Sequence, residues 1–228
     1  MQDISELQAG LGVTFKNIKL LQQAVVHRSF LNEHPDFELD HNERLEFLGD
    51  AVLEIVVTDF LYRTYPNPEG ELTSIRSALV NTDMIALLSR KAGIEPFLML
   101  SHGESKDTGR ARDVILANAF EAVIGSIYLD QGMEAAHGFI SRFVFPHAQE
   151  IVDKKLYRDP KSTFQELAQE KHRVTPDYKV LEESGPDHSK LFVVGLYLGE
   201  ELIAKGEGSS KQLAQVDAAR KALLLKKW

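Results

Sequence analysis

The densest chemistry in the chain lies in Asn42-Glu43-Arg44-Leu45-Glu46-Phe47-Leu48-Gly49-Asp50. At about 100° per residue, Glu43, Glu46 and Asp50 fall within about 60° of one another on a helix face, and Leu45, Leu48 and Val52 form the buried face. Carboxylates stacked in this way repel by roughly a few tenths of a kcal/mol per pair on a solvated helix, which a cation would offset. Gly49 sits inside the pattern. A helical Gly costs roughly 1 kcal/mol against Ala, so its presence predicts that something approaches the backbone closely there. A second apolar stretch carries Asn118 and Glu121 one turn apart, among Ile115, Leu116, Phe120 and Val123, with Gly125 as another point of close packing. Polar groups in so apolar a helix need partners. If the two helices pack side by side, Glu46, Asp50, Asn118 and Glu121 converge. Oxygen-only ligands of this kind suit Mg²⁺ or Mn²⁺ rather than Zn²⁺. The plain alternative is a solvated acidic face, and spacing alone leaves both open.

Other chemistries find little support. None of the eight His residues shows the paired helical spacing of a zinc hydrolase, and His27 and His41 read as structural. No Gly-rich phosphate loop or nucleophile elbow is visible, so no nucleotide cofactor is expected. The absence of Cys excludes disulfides, thiolate zinc sites and a Cys nucleophile, and fits a reducing compartment. Met1-Gln2-Asp3-Ile4 has neither the basic start nor the apolar run of a signal peptide, and no apolar stretch approaches the roughly 20 residues that span a bilayer. A cytoplasmic location without membrane association is expected.

The elements that must position these groups change character along the chain. Residues 1 to about 154 read as helical: Leu20, Leu21, Ala24 and Val25 recur at helical spacing, as do Leu45, Leu48, Val52, Ile55 and Val56, and then Ile115, Ala119, Ala122 and Val123. Pro66, Asn67, Pro68 and Gly70 break the chain, Gly103 to Gly109 reads as a polar loop, and Val144-Phe145-Pro146 interrupts a last helix. After Lys154, Asp159-Pro160 starts a short helix to about Lys171. Strand-like runs follow at Tyr178–Leu181, Leu191–Leu198 and Glu201–Gly206, and Ser209 or Ser210 opens a helix to about Lys226. Charge divides in the same place. From Leu156 onward 12 Lys and Arg face 11 Asp and Glu, which leaves 14 against 23 before it, so the net −8 is a balance of +1 and −9. Two domains with different tasks are implied.

Asn42 through Asp50 resembles the signature of the ribonuclease III family without a mismatch. The likeness extends to Glu69-Gly70-Glu71-Leu72, to Arg76-Ser77-Ala78-Leu79-Val80 and to Leu116–Asp130. The resemblance implies an all-α catalytic domain over residues 1–154 and an α-β-β-β-α double-stranded-RNA-binding domain over 159–228. It implies hydrolysis of double-stranded RNA with Mg²⁺, or with Mn²⁺ as a substitute, leaving 5′-phosphate and 3′-hydroxyl ends, and the processing of ribosomal and other RNA precursors. By the same resemblance Glu46, Asp50, Asn118 and Glu121 hold metal. Asp50 and Glu121 are also catalytic, and Glu43 and Glu69 line the cleavage valley. Phe47 resembles an aromatic knob that enters the partner subunit of a homodimer; its plain alternative is an ordinary core Phe. Ser162, Gln165 and Glu166 would touch one minor groove, Pro186 and His188 the next, and Ser210 and Lys211 the phosphates between. Such domains read A-form shape and 2′-hydroxyls rather than sequence.

Two positions depart from the family pattern. Asn118 stands where Asp is usual; it keeps a ligating oxygen but no charge. Gln212 stands where a second basic residue is usual, which predicts weaker duplex binding. Asn118 leaves a second expectation open: a double-stranded-RNA-binding regulator with weakened catalysis.

Overall fold

A computed structural model describes residues 3–186 and 190–228. It divides into two units, Met1–Tyr157 and Arg158–Trp228, each with its own core. In the first unit short polar side chains start helix after helix. Asp3 caps α1 (Ile4–Leu11), Asn17 caps α2 (Ile18–Ala24) and His27 caps α3 (Arg28–Glu33), each accepting a backbone N–H from the first turn. Pro66 and Pro68 separate α4 (Glu43–Thr64) from α5 (Glu69–Val80), and Asn81 caps α6 (Thr82–Lys91). The Gly103–Gly109 stretch holds one short 3₁₀ turn before α7 (Arg110–Gln131). Gly132, at φ +84°, turns the chain into α8 (Met133–Phe143), and a 3₁₀ turn at Phe145–His147 leads to α9 (Ala148–Asp153).

α7 is apolar on nearly every side from Ile115 to Ile127 and is therefore the central helix. α4 lies against it over much of its length. The contact is backbone to backbone. A Cβ added to Gly49 would run into the carbonyl oxygen of Glu121, and one added to Gly125 into that of Leu45. The two glycines are the reason the helices touch. Gly49→Ala gains about 1 kcal/mol of helix propensity but must push α4 off α7. We expect a net loss on the order of 2 kcal/mol, a fall in melting temperature of roughly 4–8 °C. A melt at or above the parent temperature would show that the helices have room.

The start of α4 is riveted by Asn42. Its buried side chain donates to the Ala24 carbonyl (3.1 Å) and its backbone N–H to the Val26 carbonyl (2.9 Å). Of the apolar residues read as the buried face, Leu45 and Val52 are buried and Leu48 is half-buried; Ile55, which recurs at the same helical spacing, is exposed. α4 has more apolar positions than its own unit covers.

In the second unit Asp159 caps α10 (Pro160–His172) through the N–H groups of Lys161 and Ser162. β1 (Pro176–Ser184), β2 (Leu191–Leu198) and β3 (Glu201–Gly208) pair antiparallel in the order β1-β2-β3. β1 runs further than its apolar residues suggest, because Glu182 and Glu183 pair with Val193 and Phe192 on a solvated edge strand. α11 (Lys211–Lys226), capped by Ser210, packs on the sheet through small residues: a Cβ on Gly206 would strike the backbone of Ala214 and Ala218. Phe164, Ala168, Leu196, Ala218 and Ala222 fill the core, and Trp228 stacks on Phe164 at 5.1 Å.

Candidate active site and nucleic-acid interface

The close approach of α4 and α7 decides where the carboxylates go. Glu121 sits next to the Gly49 contact, partly buried, with the charges of Asp50, Glu46 and Glu54 bearing on it. Burial first, and those three like charges after it, push its carboxyl up to about 8. Glu46 moves in the same direction, through burial and then the charges of Glu43 and Asp50. Asn118 lies on α7 three residues before Glu121, half-buried and on the same face. Asp50, Glu46 and Glu54 of α4 thus bear electrostatically on Glu121 of α7, and Asn118 shares the α7 face of Glu121. Glu54 belongs with them. Sequence reasoning passed over it, although it stands four residues beyond Asp50 on the same face of α4.

Glu43 and Glu69 are placed differently. Glu43 lies one turn before Glu46 and is engaged by Arg28 Nη1 at 3.2 Å, with His41 Nδ1 at 3.8 Å. Glu69, in the first turn of α5, accepts from the Thr73 hydroxyl (3.1 Å) and lines a separate cavity with Thr58, Leu61, Tyr62, Leu72 and Arg76. Its charge is not among those that raise Glu121. His27 is occupied in capping α3, as a structural histidine would be.

Among the described residues no three Asp, Glu or His side chains are drawn close enough to form a ready-made metal cage. Like charges repel, so an open arrangement is what electrostatics dictates for these side chains by themselves. The donor set nonetheless fits a hard divalent cation. It offers oxygen only, it is partly desolvated, and it has no basic residue among Glu46, Asp50 and Glu121. Burial first, and then the neighbouring carboxylates, disfavour a further negative charge on Glu121.

Phe47 is 81% exposed, so it does not belong to the core of its own unit. Ile55 and Tyr62 are exposed on the same side of α4, Tyr62 at 78%, and with Phe47 they form an apolar stripe over more than four turns.

In the second unit Gln165 and Glu166 are exposed on α10 and share a groove with Ser162, Gln169 and Thr175. The Ser162 hydroxyl donates to Asp159 at 3.0 Å, so it serves the helix cap as well as any groove contact. The N-terminal turns of α10 and α11 meet through Lys161 Nζ and Gln215 Oε1 at 2.7 Å. Ser210 caps α11, and Lys211 lies over the Phe192 ring at 5.7 Å while remaining exposed with Gln212. Pro186 is exposed two residues after the end of β1; His188 lies outside the described residues.

An all-helical unit with acidic side chains facing one another across two touching helices, followed by an α-β-β-β-α unit, is the architecture to be compared. Residues 17–148 match the model of the Ribonuclease-III-like family and residues 160–226 that of the double-stranded RNA binding motif. The chain is 44% identical over 227 residues to Ribonuclease 3 of Carboxydothermus hydrogenoformans, covering 99% of this chain and 97% of that protein. It is 42% identical to Ribonuclease 3 of Borreliella afzelii, over 96% and 90% of the respective lengths. The nuclease domain of ribonuclease III from Campylobacter jejuni superposes with a TM-score of 0.57 at 36% identity, covering 63% of this chain and 97% of that one. The chain belongs to the ribonuclease III family.

Proposed function

We propose that this chain is a homodimeric endoribonuclease that hydrolyses double-stranded RNA with Mg²⁺, or Mn²⁺ in its place. The observation that carries the reading is the partly buried Glu121, beside the Gly49–Gly125 helix contact and under the charges of Asp50 and Glu46, in a chain that also bears a duplex-binding motif. Glu46, Asp50, Glu121 and the side-chain carbonyl of Asn118 would hold the ion. When bound, Mg²⁺ supplies Lewis acidity at the phosphate and a more acidic water. The chain's own part is to gather three carboxylates in a partly dry place, with Glu121 keeping its proton until a cation replaces it. Glu43 would extend the acidic row one turn before Glu46, and Glu69, from its own cavity beside Thr58 and Arg76, would face the passing RNA. The net reaction adds water across the P–O3′ bond and leaves 5′-phosphate and 3′-hydroxyl ends.

The second unit supplies grip. Ser162, Gln165 and Glu166 on α10 would face one minor groove, Pro186 and His188 the next, and Ser210 and Lys211 the phosphates between them, with affinity lowered by Gln212. Duplex precursors of ribosomal and other RNAs, in the cytoplasm, are the substrates this chemistry suits. Among the described residues no helix is long and apolar enough to cross a membrane. The test compares a long RNA duplex with each of its single strands, in Mg²⁺, and reads the product ends. Duplex-only cleavage whose fragments accept ligation at a 5′-phosphate is expected; cleavage of single strands, or 3′-phosphate ends, would overturn the assignment.

The apolar stripe on α4 is the surface for the second copy. The Campylobacter jejuni nuclease domain is described for flexibility in a region involved in its own dimer formation, which supports the same arrangement here. Phe47→Ala should weaken dimerisation by about 2–3 kcal/mol, roughly 30- to 160-fold, with little change in the melting of the monomer. Sedimentation across a concentration series reads it. A variant that stays dimeric but melts much lower would assign Phe47 to its own core.

A further inference from the structure

The carboxylates of α4 are not equally bare. Glu43, Glu46, Asp50 and Glu54 form a row of about 16 Å along one helix face, and an arginine from another helix stands at each end. Arg76 of α5 holds Glu54 at 3.0 Å and also donates to the Thr58 hydroxyl at 2.9 Å, with its side chain only 34% exposed. It is committed to the fold. Arg28 of α3 is different. It reaches Glu43 through one contact of 3.2 Å, and its side chain is 68% exposed.

The base of Arg28 is nevertheless rigid. His27, the residue before it, caps α3 by accepting the Ser29 N–H, and its backbone N–H donates to Met99 at 3.0 Å. The Ser29 hydroxyl in turn accepts the Ser101 N–H at 3.1 Å. A fixed backbone thus carries an exposed guanidinium beside Glu43, one helical turn before Glu46. An exposed ion pair contributes about 0–1 kcal/mol, so the exchange of Glu43 for a better anion costs little. Phosphate is such an anion: it can take both prongs of the guanidinium, where Glu43 takes one.

We propose that Arg28 is a phosphate-binding residue of the cleavage centre: it leaves Glu43 and takes a backbone phosphate of the duplex next to the scissile one. This rests on the nuclease reading above. It gives the acidic valley a cation that belongs to the protein, at the edge where the RNA backbone must pass.

The test uses full-length chains in Mg²⁺. Cleavage kinetics over a salt series compare the parent with Arg28→Gln and Arg28→Lys, and the salt dependence of duplex binding is measured for the same Arg28 changes in a Glu121→Gln background. Each phosphate contact contributes about one to the slope of log affinity against log salt. Arg28→Gln should make that slope shallower by about one and raise KM roughly three- to tenfold at moderate salt, with kcat within about twofold and an unchanged melting temperature. Arg28→Lys should restore the slope. Superimposed slopes in chains that bind and cut would overturn the proposal. So would a loss of kcat with KM and slope unchanged, which would make Arg28 a positioning residue for Glu43. If the parent cuts no duplex while the binding slopes still differ, the nuclease reading fails and the phosphate contact stands.

Discussion

Glu121→Gln is expected to slow cleavage of duplex RNA by at least about a hundredfold, roughly 2.7 kcal/mol of transition-state stabilisation. Duplex binding should stay within about threefold. The two side chains are nearly the same size, so the α4–α7 contact, which involves the backbone of residue 121, is preserved. What changes is charge. Glu121 is the most desolvated of the converging carboxylates and is held between Asp50 and Glu46. Gln offers one neutral carbonyl in place of a carboxylate and reduces the formal charge available to a divalent ion from three to two. The binding groups on α10 and α11 are untouched. Single-turnover cleavage and gel binding of the same duplex measure both halves. A variant that cuts at a tenth of the parent rate in Mg²⁺ would remove Glu121 from the centre of the site.

The second large effect is on stability. With chelator present, the melting temperature should fall as pH rises toward 8, and Mg²⁺ should reverse the fall. In the unfolded chain Glu121 loses its proton near the ordinary 4.5, whereas in the folded protein it keeps it to about 8. Below 4.5 both states are protonated and nothing is lost. Between 4.5 and 8 the unfolded state binds fewer protons, so stability declines with rising pH; above 8 the decline stops. Glu46 adds to it in the same direction. His27 and His147 act oppositely: burial lowers both, so the folded state gains as pH rises through the ordinary 6.5. The comparison that isolates the effect is therefore parent against Glu121→Gln, which share both histidines. Scanning calorimetry from pH 5 to 8 should show the parent losing several degrees relative to the variant in chelator, and Mg²⁺ raising the parent most at the high end. Parallel curves would mean that Glu121 ionises freely and is not crowded by Asp50 and Glu46.

How much of this could be read beforehand differs from residue to residue. Gly49 and Gly125 were legible because a glycine inside a helix is a local cost that needs a reason, and the reason is the opposite backbone. That Glu46 and Asp50 share one face of α4, and Asn118 and Glu121 one face of α7, was legible from helical spacing. Asn42 was not: its role depends on the carbonyls of Ala24 and Val26, which no local pattern reveals. The apolar residues of α4 encircle the helix, so periodicity could not separate the stripe that meets α7 from the exposed one through Phe47, Ile55 and Tyr62. Arg28 escaped notice for a similar reason. Its partner Glu43 is fifteen residues away on another helix, and only the fold brings them to 3.2 Å. In the second unit the cap residues Asp159 and Ser210 fixed both helix starts, while the charged end of β1 hid its true length.

The most direct measurement of the central claim is the rate at which the parent chain, with Asn118 as it stands, cuts a long RNA duplex as Mg²⁺ is titrated from chelator upward. Cleavage that is nil in chelator and rises to saturation with Mg²⁺ is the result expected, since Glu46, Asp50 and Glu121 supply three formal charges and Asn118 a neutral oxygen. A parent chain that binds the duplex yet stays inactive at every Mg²⁺ concentration, while Asn118→Asp cuts it, would contradict the claim and make this chain a duplex-binding regulator rather than a nuclease.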